Sequence, residues 1–562
     1  MIKLIECVPN FSEGVNLAII KQITDEIETV EGVRLLNVDP GKATNRTVVT
    51  FVGEPESVIE AAYLAIKKAG ELIDMSKHKG EHPRMGATDV CPLIPIANIT
   101  MEETAEYARE LAKRVGEELH IPAYLYEYAQ ADKSRSNLSI IRAGEYEGFF
   151  KKIKLPQWAP DFGPAENDVK RGATVIGARD FLIAYNVNLN TTSTRRANAI
   201  AFDVREAGRV MREGDPVTGK IVTDENGKPR SVPGSLKSVK AIGWYIEEYG
   251  IAQISMNLTN IEVTPIHMAF DEVCTKAAER GIRVTGSELV GLIPLKAMLD
   301  AGKYFLRKQQ RSVGVSNSEL IRIAVKTMGL DELGPFNPHE RIIEYLLQDA
   351  NAVKLAGMTL TAFADETASE SPAPGGGSIS AYMGALGASL ATMVANLSAH
   401  KKGWDSRWEE FSSWAEKGQA YKDELLKLVD LDTTAFNKIM EAFSFPKSSD
   451  EEKAARDKAI QDATRYAIEI PFKVMETALE SLTLIKAMAE TGNPNSVTDA
   501  GVAALCARSA VLGAFMNVKI NASGYKDKVF VDDIIRRGEE IEQKTIAAEA
   551  EIIALVNGKI KW

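Results

Sequence analysis

The chain has 562 residues, 45% of them hydrophobic, and a formal net charge of −11. Because one hydrophobic core rarely grows past about 250–300 residues, this length predicts at least two folding units. The acidic balance excludes nucleic acid as the main partner, since neutralising phosphates needs a basic surface.

The start MIKLIECVPNFSEG lacks the apolar segment and cleavage site of a secretory signal. We also expect no run of about 18 or more uncharged apolar residues, hence no membrane span and a cytoplasmic protein. The cysteines lack the spacing of a zinc knuckle or redox motif, and we expect reduced, mostly buried thiols. They are Cys7, Cys91, Cys274 and Cys506.

The first half of the chain alternates short β-rich runs with amphipathic helical runs. VRLLNVDP (33–40) and NRTVVTFVG (45–53) are typical of strands, and residues 54–73 have apolar side chains at helical spacing. Thr100, followed by glutamates, predicts the capped start of a helix over 100–120. IPAYLYEYA (121–129) predicts the next strand.

From residue 172 the alternation of strands and helices continues. It predicts a fold of the α/β (α+β) class with two related subdomains, 1–178 and 179–328, whose sheets carry helices on one face. Residues 212–234 interrupt the pattern with Gly, Pro, Asp and Asn. They favour an exposed hairpin or loop insertion over a functional lid.

The composition changes near residue 329. Pro and Gly breaks around one short helical piece predict a linker over 329–356. The rest, 357–562, is rich in Ala, Glu, Lys and Leu and predicts an all-α helical bundle. Its run SAYMGALGASLATMVA suits close packing of helices.

Two of the six histidines lie in HKGEHPRMGATD, residues 78–89. Gly80, Pro83 and Gly86 prevent a regular helix, so His78 and His82 are expected on a tight loop. The missing HExxH pattern makes metal binding an unfavourable interpretation.

Acid–base catalysis is the sharper interpretation of this loop. A histidine flanked by Glu81, Arg84 and Asp89 can be oriented by a carboxylate through one ring nitrogen and exchange a proton through the other. From the pattern alone, a hydrogen-bonded turn histidine without a catalytic role is equally compatible.

Two further stretches carry candidate site residues. Asp39, Thr44, Asn45 and Arg46 lie on a loop that feeds a strand, where an arginine fork can grip a carboxylate. The alternative is an exposed charge at a strand edge.

In the helical part, SPAPGGGSISA lacks the lysine of a phosphate loop. Gly375, Gly376 and Gly377 before Ser378 expose backbone N–H groups at a helix start, which suits an anionic or carbonyl-bearing ligand. A helix cap by Ser378 is the alternative.

LVDLDTTAF places Asp430 and Asp432 on different helix faces, and a carboxylate turned inward would have a raised pKa suited to proton transfer.

At this point several long motifs carry a resemblance. The first half resembles glutamate formimidoyltransferase in ECVPNFSEG (6–14), DPGKATNRTVVTFVG (39–53), LIDMSKHKGEHPRMGATDVCP (72–92), RAGEYEG (142–148), WAPDFGP (158–164) and LVGLIPLKAMLDA (289–301). The second half resembles formiminotetrahydrofolate cyclodeaminase in APGGGSISA (373–381), LVDLDTTAF (428–436) and FMNVKINAS (515–523). The chain thus resembles the bifunctional formimidoyltransferase-cyclodeaminase family over nearly its whole length.

The resemblance implies two reactions. The formimino group of N-formimino-L-glutamate, a product of histidine degradation, would pass to N5 of tetrahydrofolate, and 5-formiminotetrahydrofolate would then close to 5,10-methenyltetrahydrofolate with loss of ammonia. His82 would be the catalytic histidine of the first reaction, and one imidazole titrating near pH 7 can serve both of its proton transfers. Asp432 would be the acid–base residue of the second.

The remaining roles implied by the resemblance are binding and support. Folate binding falls on DFGPAENDVKRG (161–172), whose residues 165–171 depart from the expected pattern. The substrate-binding residues are Asp39, Thr44, Asn45, Arg46, Gly163, Pro164, Gly172, Gly375, Gly376, Gly377 and Ser378. The supporting residues are His78, Arg84, Asp499, Asn517 and Asn521. The basic stretch Arg142, Lys151, Lys152 and Lys154 either attracts the folate tail or is a solvated charge run.

Other functions stay open from the sequence. The helical domain also resembles methenyltetrahydrofolate cyclohydrolase, and a non-catalytic scaffold that binds folate polyglutamate is the alternative from another class. The expected partners are formiminoglutamate and tetrahydrofolate, polyglutamylated, with no metal. The resemblance also implies a homo-oligomer that associates through the helical domain.

Overall fold

The computed structural model describes residues 3–215, 218–347 and 354–560. The chain divides into two units, Met1–Ala301 with Ala324–Gln348 and Gly302–Ile323 with Asp349–Trp562. Residues 348–353 of the predicted linker and residues 216–217 of the predicted insertion lie outside the described residues. The described part of the linker before residue 348 belongs to the first unit.

The first subdomain of this unit is a seven-stranded sheet. Its strands are β1 (Leu4–Cys7), β2 (Asn10–Phe11), β3 (Val33–Gly41), β4 (Arg46–Gly53), β5 (Thr88–Ala97), β6 (Ala123–Glu127) and β7 (Thr174–Ala178). Their order is β1-β4-β2-β5-β7-β6, with β3 paired to β4 and β1 also paired to β5. β7 pairs in parallel with both β5 and β6, and the other pairs are antiparallel.

Three helices cover one face of this sheet, α1 (Leu17–Glu28), α2 (Pro55–Leu72) and α3 (Met101–Glu118). The short α4 (Leu138–Ile141) and α5 (Glu145–Lys152) bury Ile141 and Phe149 in a second cluster with Val90, Tyr124 and Val175, which point to the other side of their strands. The predicted capped start is confirmed, because Thr100 and Glu103 form a capping box on α3. Residues that alternate along the strands, such as Ile5, Cys7, Val49 and Phe51, are buried against α1, α2 and α3.

The second subdomain is a four-stranded antiparallel sheet. Its strands and the hairpin between them are β8 (Ile183–Leu189), β9 (Arg209–Val210), β10 (Ser231–Val232), β11 (Val239–Ile246), β12 (Ile251–Leu258) and β13 (Val284–Val290). The sheet order is β11-β12-β8-β13, while β9 and β10 pair only with each other among the described strands. The predicted exposed hairpin is therefore confirmed for the described part of 212–234.

The helices of the second subdomain complete the first unit. They are α6 (Thr194–Val204), α7 (Ile266–Ala278), α8 (Leu295–Lys308), α9 (Asn317–Met328), α10 (Pro338–Arg341) and α11 (Ile343–Leu346). The segment 302–323, which includes parts of α8 and α9, belongs to the second unit. There Gly314 packs so closely on Ala415 that an added Cβ would lie 2.2 Å from the Ala415 methyl.

The second unit is a bundle of long helices, as predicted. They are α12 (Leu360–Thr367), α13 (Gly376–Ala399), α14 (Trp408–Ser444), α15 (Asp450–Thr491), α16 (Val497–Ala522) and α17 (Lys528–Lys559). Small residues bring α13 and α16 together, since a Cβ on Gly387 would lie 2.9 Å from the Ala503 carbonyl oxygen. Buried alanines such as Ala381, Ala388 and Ala510 line the same seam.

Two of these helices bear on the expectation that no segment spans a membrane. Gly376–Ala399 and Pro494–Ala522 are long and apolar enough to cross a membrane by length and composition, although polar or charged residues interrupt both, so neither is an unbroken run of 18 uncharged apolar residues. Many alanines and glycines, rather than unbroken runs of large aliphatics, make these segments apolar. In the bundle, 61% and 50% of their apolar windows are buried, which is common for core helices.

Candidate functional site

A cavity of about 1030 Å³ is lined by both sheets of the first unit. The first sheet contributes the face opposite α1, α2 and α3, because successive side chains of a strand point to opposite sides. The lining residues of this face include Glu6, Val8, Asn10, Arg46, Val48, Thr50, Val90, Pro92 and Ile94. His82 and Arg142 line the same cavity.

The loop that carries His82 is held by close backbone packing at two glycines. A Cβ on Gly80 would lie 2.2 Å from the carbonyl oxygen of Thr44, and one on Gly86 would lie 2.3 Å from that of Ala173. Gly86 also forms an isolated antiparallel bridge with Gly172. The loop conformation expected from the sequence is confirmed, and neighbouring segments fix it.

His82 is held by its own backbone and not by a carboxylate. Its Nδ1 lies 2.7 Å from the carbonyl oxygen of Pro83, which can only accept, so Nδ1 carries the proton and Nε2 is the free base. The expected carboxylate partner is therefore wrong: Glu81 is exposed, and Asp89 is occupied by arginines.

The charge state of His82 also differs from expectation. Burial, and then the charges of Arg46 and Arg142, lower the pKa of His82 to about 3, against the opposing effect of Asp89. The free protein thus holds a neutral imidazole at pH 7, and the expected titration near pH 7 is wrong for this state.

Asp89 organises the charges beside His82. Its Oδ2 accepts from Arg46 Nη1 and, at 2.6 Å, from Arg142 Nη2, while Oδ1 accepts from the Met85 backbone N–H at 2.8 Å. Burial alone would raise the pKa of Asp89, but Arg142 and Arg46 outweigh it and lower that pKa. The two arginines and one carboxylate leave a net positive charge facing the cavity.

Arg46 is buried at 7% exposure, which contradicts the alternative of an exposed strand-edge charge. Besides the ion pair with Asp89, its Nε donates to Asn10 Oδ1 at 3.1 Å. Lys240 on the other sheet adds a third cation and donates to Asn137 Oδ1 at 3.4 Å. This end of the cavity suits an anionic ligand.

His78 supports the loop and is not among the residues that line the cavity. Its Nε2 lies 2.8 Å from the Asn45 carbonyl oxygen, and Arg84 Nε donates to its Nδ1 at 3.2 Å. Arg84 continues to Glu145 and Glu147 at 3.1 and 2.7 Å. These contacts tie the loop to the start of α5.

The turn before β4 also braces the site. Asn45 has φ of +46°, a left-handed conformation that Asn tolerates. Its side chain accepts from the Gly14 N–H at 2.9 Å and donates to the Lys79 carbonyl at 2.8 Å. Thr44 lines the cavity, and its hydroxyl donates to the Gly41 carbonyl at 3.0 Å.

Asp39 lines the cavity where the two subdomains meet. Its Oδ2 accepts from the Gly291 N–H at 2.7 Å and from Arg341 Nη1 at 3.5 Å. Asp39 thus joins β3 to the end of β13 and leaves its other oxygen for a ligand.

The structure does not bring the predicted folate glycines to the cavity wall. Gly163, Pro164 and Gly172 are absent from the described lining. Gly163 (φ +86°) packs on Gly116 of α3, and Gly172 (φ +69°) packs on Met85 and Gly86. In this state Gly172 supports the His82 loop from behind.

The basic stretch separates into different environments. Arg142 faces the cavity, whereas Lys152 donates to the carbonyls of Ile140 and Ile141, both at 2.7 Å, and lies over Trp158. Lys151 and Lys154 are exposed. Only Arg142 of the four is placed to meet a ligand in this cavity.

Sequence reasoning missed the polar face of the second sheet. Glu288 accepts from Asn186 at 2.9 Å, from the Tyr249 hydroxyl at 3.1 Å and from Gln253 at 3.2 Å. These four residues line the cavity. The available signal was alternation, since β8 (IAYNVNL) and β12 (IAQISMNL) place polar residues at every second position of apolar runs.

The second site lies at the start of α13 in the helical unit. Ser378 Oγ is 2.9 Å from Asp432 Oδ2 and 3.1 Å from the Val429 carbonyl oxygen. Gly377 gives Asp432 its room, because a Cβ there would lie 2.2 Å from Asp432 Oδ1. The N-cap of α13 is Gly375, so the alternative in which Ser378 caps the helix is wrong.

Asp432 has the electrostatic character of an acid–base group. Burial raises the pKa of Asp432, against the lowering effect of Ser378. Asp430 points elsewhere, and its Oδ1 accepts from the Ala356 N–H at 3.3 Å. The expectation that these two aspartates occupy different faces is confirmed.

Of the supporting residues predicted in the second half, Asn517 lies at the Asp432 site, whereas Asn521 and Asp499 have other positions. A Cβ on Gly376 would lie 3.2 Å from Asn517 Nδ2, which places Asn517 at the site. Asn521 donates to the Ala467 carbonyl at 2.8 Å and joins α16 to α15. Asp499 lies in the first turn of α16, about 27 Å along the helix from Asn517 at 1.5 Å per residue, so it is not part of this cluster.

Over residues 3–215, 218–347 and 354–560, no group of three or more His, Cys, Asp or Glu side chains is arranged to hold a metal ion. No disulfide joins any of the four cysteines, all of which lie in the described ranges, and Cys7 and Cys91 are buried with their sulfurs 3.5 Å apart.

Family models cover most of the chain. A model described as the formiminotransferase domain, N-terminal subdomain, matches residues 4–179, and a formiminotransferase domain model matches residues 184–348. A third model, formiminotransferase-cyclodeaminase, matches residues 359–540.

Curated relatives agree with these models. The formimidoyltransferase-cyclodeaminase of Mus musculus is 43% identical over 551 residues, 98% of each chain. The glutamate formimidoyltransferase of Streptococcus pyogenes serotype M1 is 40% identical and covers 55% of this chain and 94% of its own. The methenyltetrahydrofolate cyclohydrolase of Methylorubrum extorquens is 35% identical and covers 36% of this chain and 97% of its own.

Proposed function

The chain belongs to the formimidoyltransferase-cyclodeaminase family, and from this membership we propose that it catalyses two consecutive folate reactions. The first transfers the formimino group of N-formimino-L-glutamate to tetrahydrofolate, the co-substrate, and releases glutamate. The second cyclises 5-formiminotetrahydrofolate to 5,10-methenyltetrahydrofolate and releases ammonia. The observation that carries the proposal is the pair of separate acid–base groups, His82 in the first unit and Asp432 in the second.

Transfer follows from the charges beside His82. Formiminoglutamate brings two carboxylates, which match the net charge of Arg46, Arg142 and Asp89 together with Lys240. Their arrival offsets the positive field and raises the pKa of His82 toward the range that an acid–base catalyst needs.

His82 then moves one proton between two nitrogens. Its Nε2 accepts a proton from N5 of tetrahydrofolate as N5 bonds to the formimino carbon. The resulting imidazolium returns a proton to the glutamate nitrogen as the bond between carbon and that nitrogen breaks. Nδ1 stays bonded to the Pro83 carbonyl oxygen throughout, which fixes the ring orientation.

Cyclisation uses Asp432 in the same alternating manner. With the formimino group protonated, the carboxylate takes the N10 proton as N10 bonds to the formimino carbon. It then returns the proton to the amino group on that carbon, whose C–N bond breaks to release ammonia and leave the methenyl cation. Ser378, at 2.9 Å, keeps the Asp432 carboxylate oriented. The raised pKa of Asp432 makes its protonated form, which donates the proton to the leaving group, more accessible near neutral pH.

The finer assignments are also proposals. The co-substrate is polyglutamylated and the enzyme is cytoplasmic. The chain forms a homo-oligomer through exposed apolar side chains of α13 and α16, among them Leu386, Leu397, Val502 and Leu505. Light scattering of the full chain tests the last point, and the mass of a single chain would contradict it.

A two-product assay tests the proposed function. The full chain receives formiminoglutamate and tetrahydrofolate, with glutamate, ammonia and methenyltetrahydrofolate followed separately. We expect all three products in equal amounts. Hydrolysis of supplied methenyltetrahydrofolate without ammonia release from 5-formiminotetrahydrofolate would favour cyclohydrolase chemistry, and folate binding without turnover would favour a scaffold.

The low pKa of His82 predicts an unusual pH profile. A base with a lowered pKa stays unprotonated as the pH falls, so kcat/KM for formiminoglutamate at saturating tetrahydrofolate should be nearly constant from pH 7.5 to 5. An ordinary imidazole, with a pKa of about 6.5, would lose about 30-fold over this range. Glutamate release across this range is the measurement, and a steep loss centred near pH 6.5 would contradict the prediction.

A further inference from the structure

A buried carboxylate that the proposed transfer does not use lies in the wall of the cavity. Glu6 of β1 is only 2% exposed and lines the cavity, while its neighbours Ile5 and Cys7 point into the core. Among the described residues, no side chain or backbone group makes a hydrogen bond or an ion pair with the Glu6 carboxylate, although the Glu6 backbone pairs within the sheet. Arg179 acts on it electrostatically and also lines the cavity, but its Nη1 donates to the Asp180 carbonyl at 2.9 Å.

Strand register places Glu6 away from His82. On β5, Glu6 pairs with Ile94 and Asn10 pairs with Val90, so the two rows are four residues apart, about 13 Å at 3.3 Å per residue. Asn10 belongs to the His82 end, because it accepts from Arg46. The cavity therefore has a cationic end with a base and a second end that carries the Glu6 carboxylate.

The buried Glu6 carboxylate would be stabilised by a ligand that donates hydrogen bonds to it. Buried polar groups are nearly always hydrogen-bonded, and leaving one unpaired costs the full desolvation penalty. Burial raises the pKa of Glu6 to about 7, against the lowering effect of Arg179. A ligand that presents two parallel N–H groups would relieve this cost through a bidentate pair of hydrogen bonds.

Both proposed substrates carry such a pair of N–H donors. In formiminoglutamate it is the amidine itself, and in tetrahydrofolate it is the 2-amino group with N3–H of the pterin ring. The amidine must react beside His82, at the Asn10 end of the cavity, and the Glu6 row lies about 13 Å from the Asn10 row, so the reacting amidine does not reach Glu6. The reacting N5 and the 2-amino edge belong to different rings of the pterin, so a ligand with N5 at His82 projects that edge away from His82.

We propose that Glu6 binds the 2-amino and N3–H edge of the tetrahydrofolate pterin and so sets the orientation in which N5 faces His82. This inference rests on the proposed transferase function and adds a specificity-determining residue to it. The same carboxylate discriminates against pterins that lack the 2-amino donor, because such a ligand would leave an acceptor unpaired in the buried site.

The first arm of the test needs no variant. The full chain is assayed for glutamate release with tetrahydrofolate and with its 2-desamino-2-methyl analogue. We expect kcat/KM for the analogue to be at least about 30-fold lower, the cost of one hydrogen bond to a charged group. Equal kcat/KM for the two folates would overturn the proposal.

The second arm removes the charge with Glu6→Gln. We expect KM for tetrahydrofolate to rise at least about 10-fold, KM for formiminoglutamate to change less than about 2-fold, and the discrimination against the analogue to shrink. Glu549→Gln is the matched control, since Glu549 is also buried but pairs with Arg508 at 3.0 Å in the helical unit. The control should leave both KM values unchanged.

The outcomes separate this inference from the function on which it rests. Absence of glutamate release by the wild type would overturn the proposed function and the inference with it. Normal release with an unchanged KM for tetrahydrofolate in Glu6→Gln would overturn the inference alone. A rise in KM for formiminoglutamate instead would overturn the pterin assignment and give Glu6 to the amidine.

Discussion

His82→Ala is expected to lose glutamate release by about 10²–10⁴-fold while still cyclising supplied 5-formiminotetrahydrofolate at the wild-type rate. The size follows from the loss of the group that takes the N5 proton and protonates the leaving nitrogen. Arg46, Arg142 and Asp89 would still bind the substrate, so we expect kcat rather than KM to carry the loss. The two reactions are measured separately, by glutamate release and by ammonia release.

His339→Ala is the matched control for this variant. His339 is exposed, lies in α10 and stacks on Tyr345, so its removal should leave both reactions intact. Loss of cyclisation in a His82→Ala protein with a wild-type circular dichroism spectrum would contradict the assignment of two independent sites.

Asp432→Asn is expected to produce the opposite separation. The amide has the shape of the carboxylate but cannot take and return a proton, so ammonia release should fall by about 10²–10⁴-fold. Glutamate release should continue, and 5-formiminotetrahydrofolate should accumulate. Continued ammonia release at the wild-type rate would show that another group does the proton transfer.

Gly377→Ala offers a second route to the same result without removing the carboxylate. The new Cβ would lie 2.2 Å from Asp432 Oδ1, so Asp432 must move away from Ser378. We expect a loss of cyclisation with transfer preserved. Gly558→Ala on α17 is the control, since a Cβ there meets no atom within 4 Å.

The sequence predicted features that depend on neighbours along the chain. Thr100 and Glu103 are three residues apart, and their capping box needs no other part of the fold. The His82 loop was predicted because Gly80 and Pro83 act on their own backbone. The placement of Asp430 and Asp432 on different helix faces follows from helical periodicity over two residues.

The features that were not predicted depend on distant residues. Asp89 meets Arg46 and Arg142 across 43 and 53 residues, and only strand pairing brings them together. The charges of Arg46 and Arg142 lower the pKa of His82, so the protonation state of His82 could not be predicted from the residues next to it in the sequence. Glu6 was not predicted as a site residue because its position in the cavity wall becomes visible only when both sheets are in place.

The segment 302–323 bears on how this enzyme can be divided into fragments. In the helical unit, the Gly314 carbonyl accepts from Asn396 at 2.8 Å and Gln419 at 3.0 Å, and the Val313 N–H donates to Ser412 at 3.0 Å. A gene cut in the linker would leave the two members of each of these hydrogen bonds on different products. Expression of the cyclodeaminase half alone would therefore require redesign of the surface that this exposes on α13 and α14. A single gene that encodes both halves keeps these hydrogen bonds.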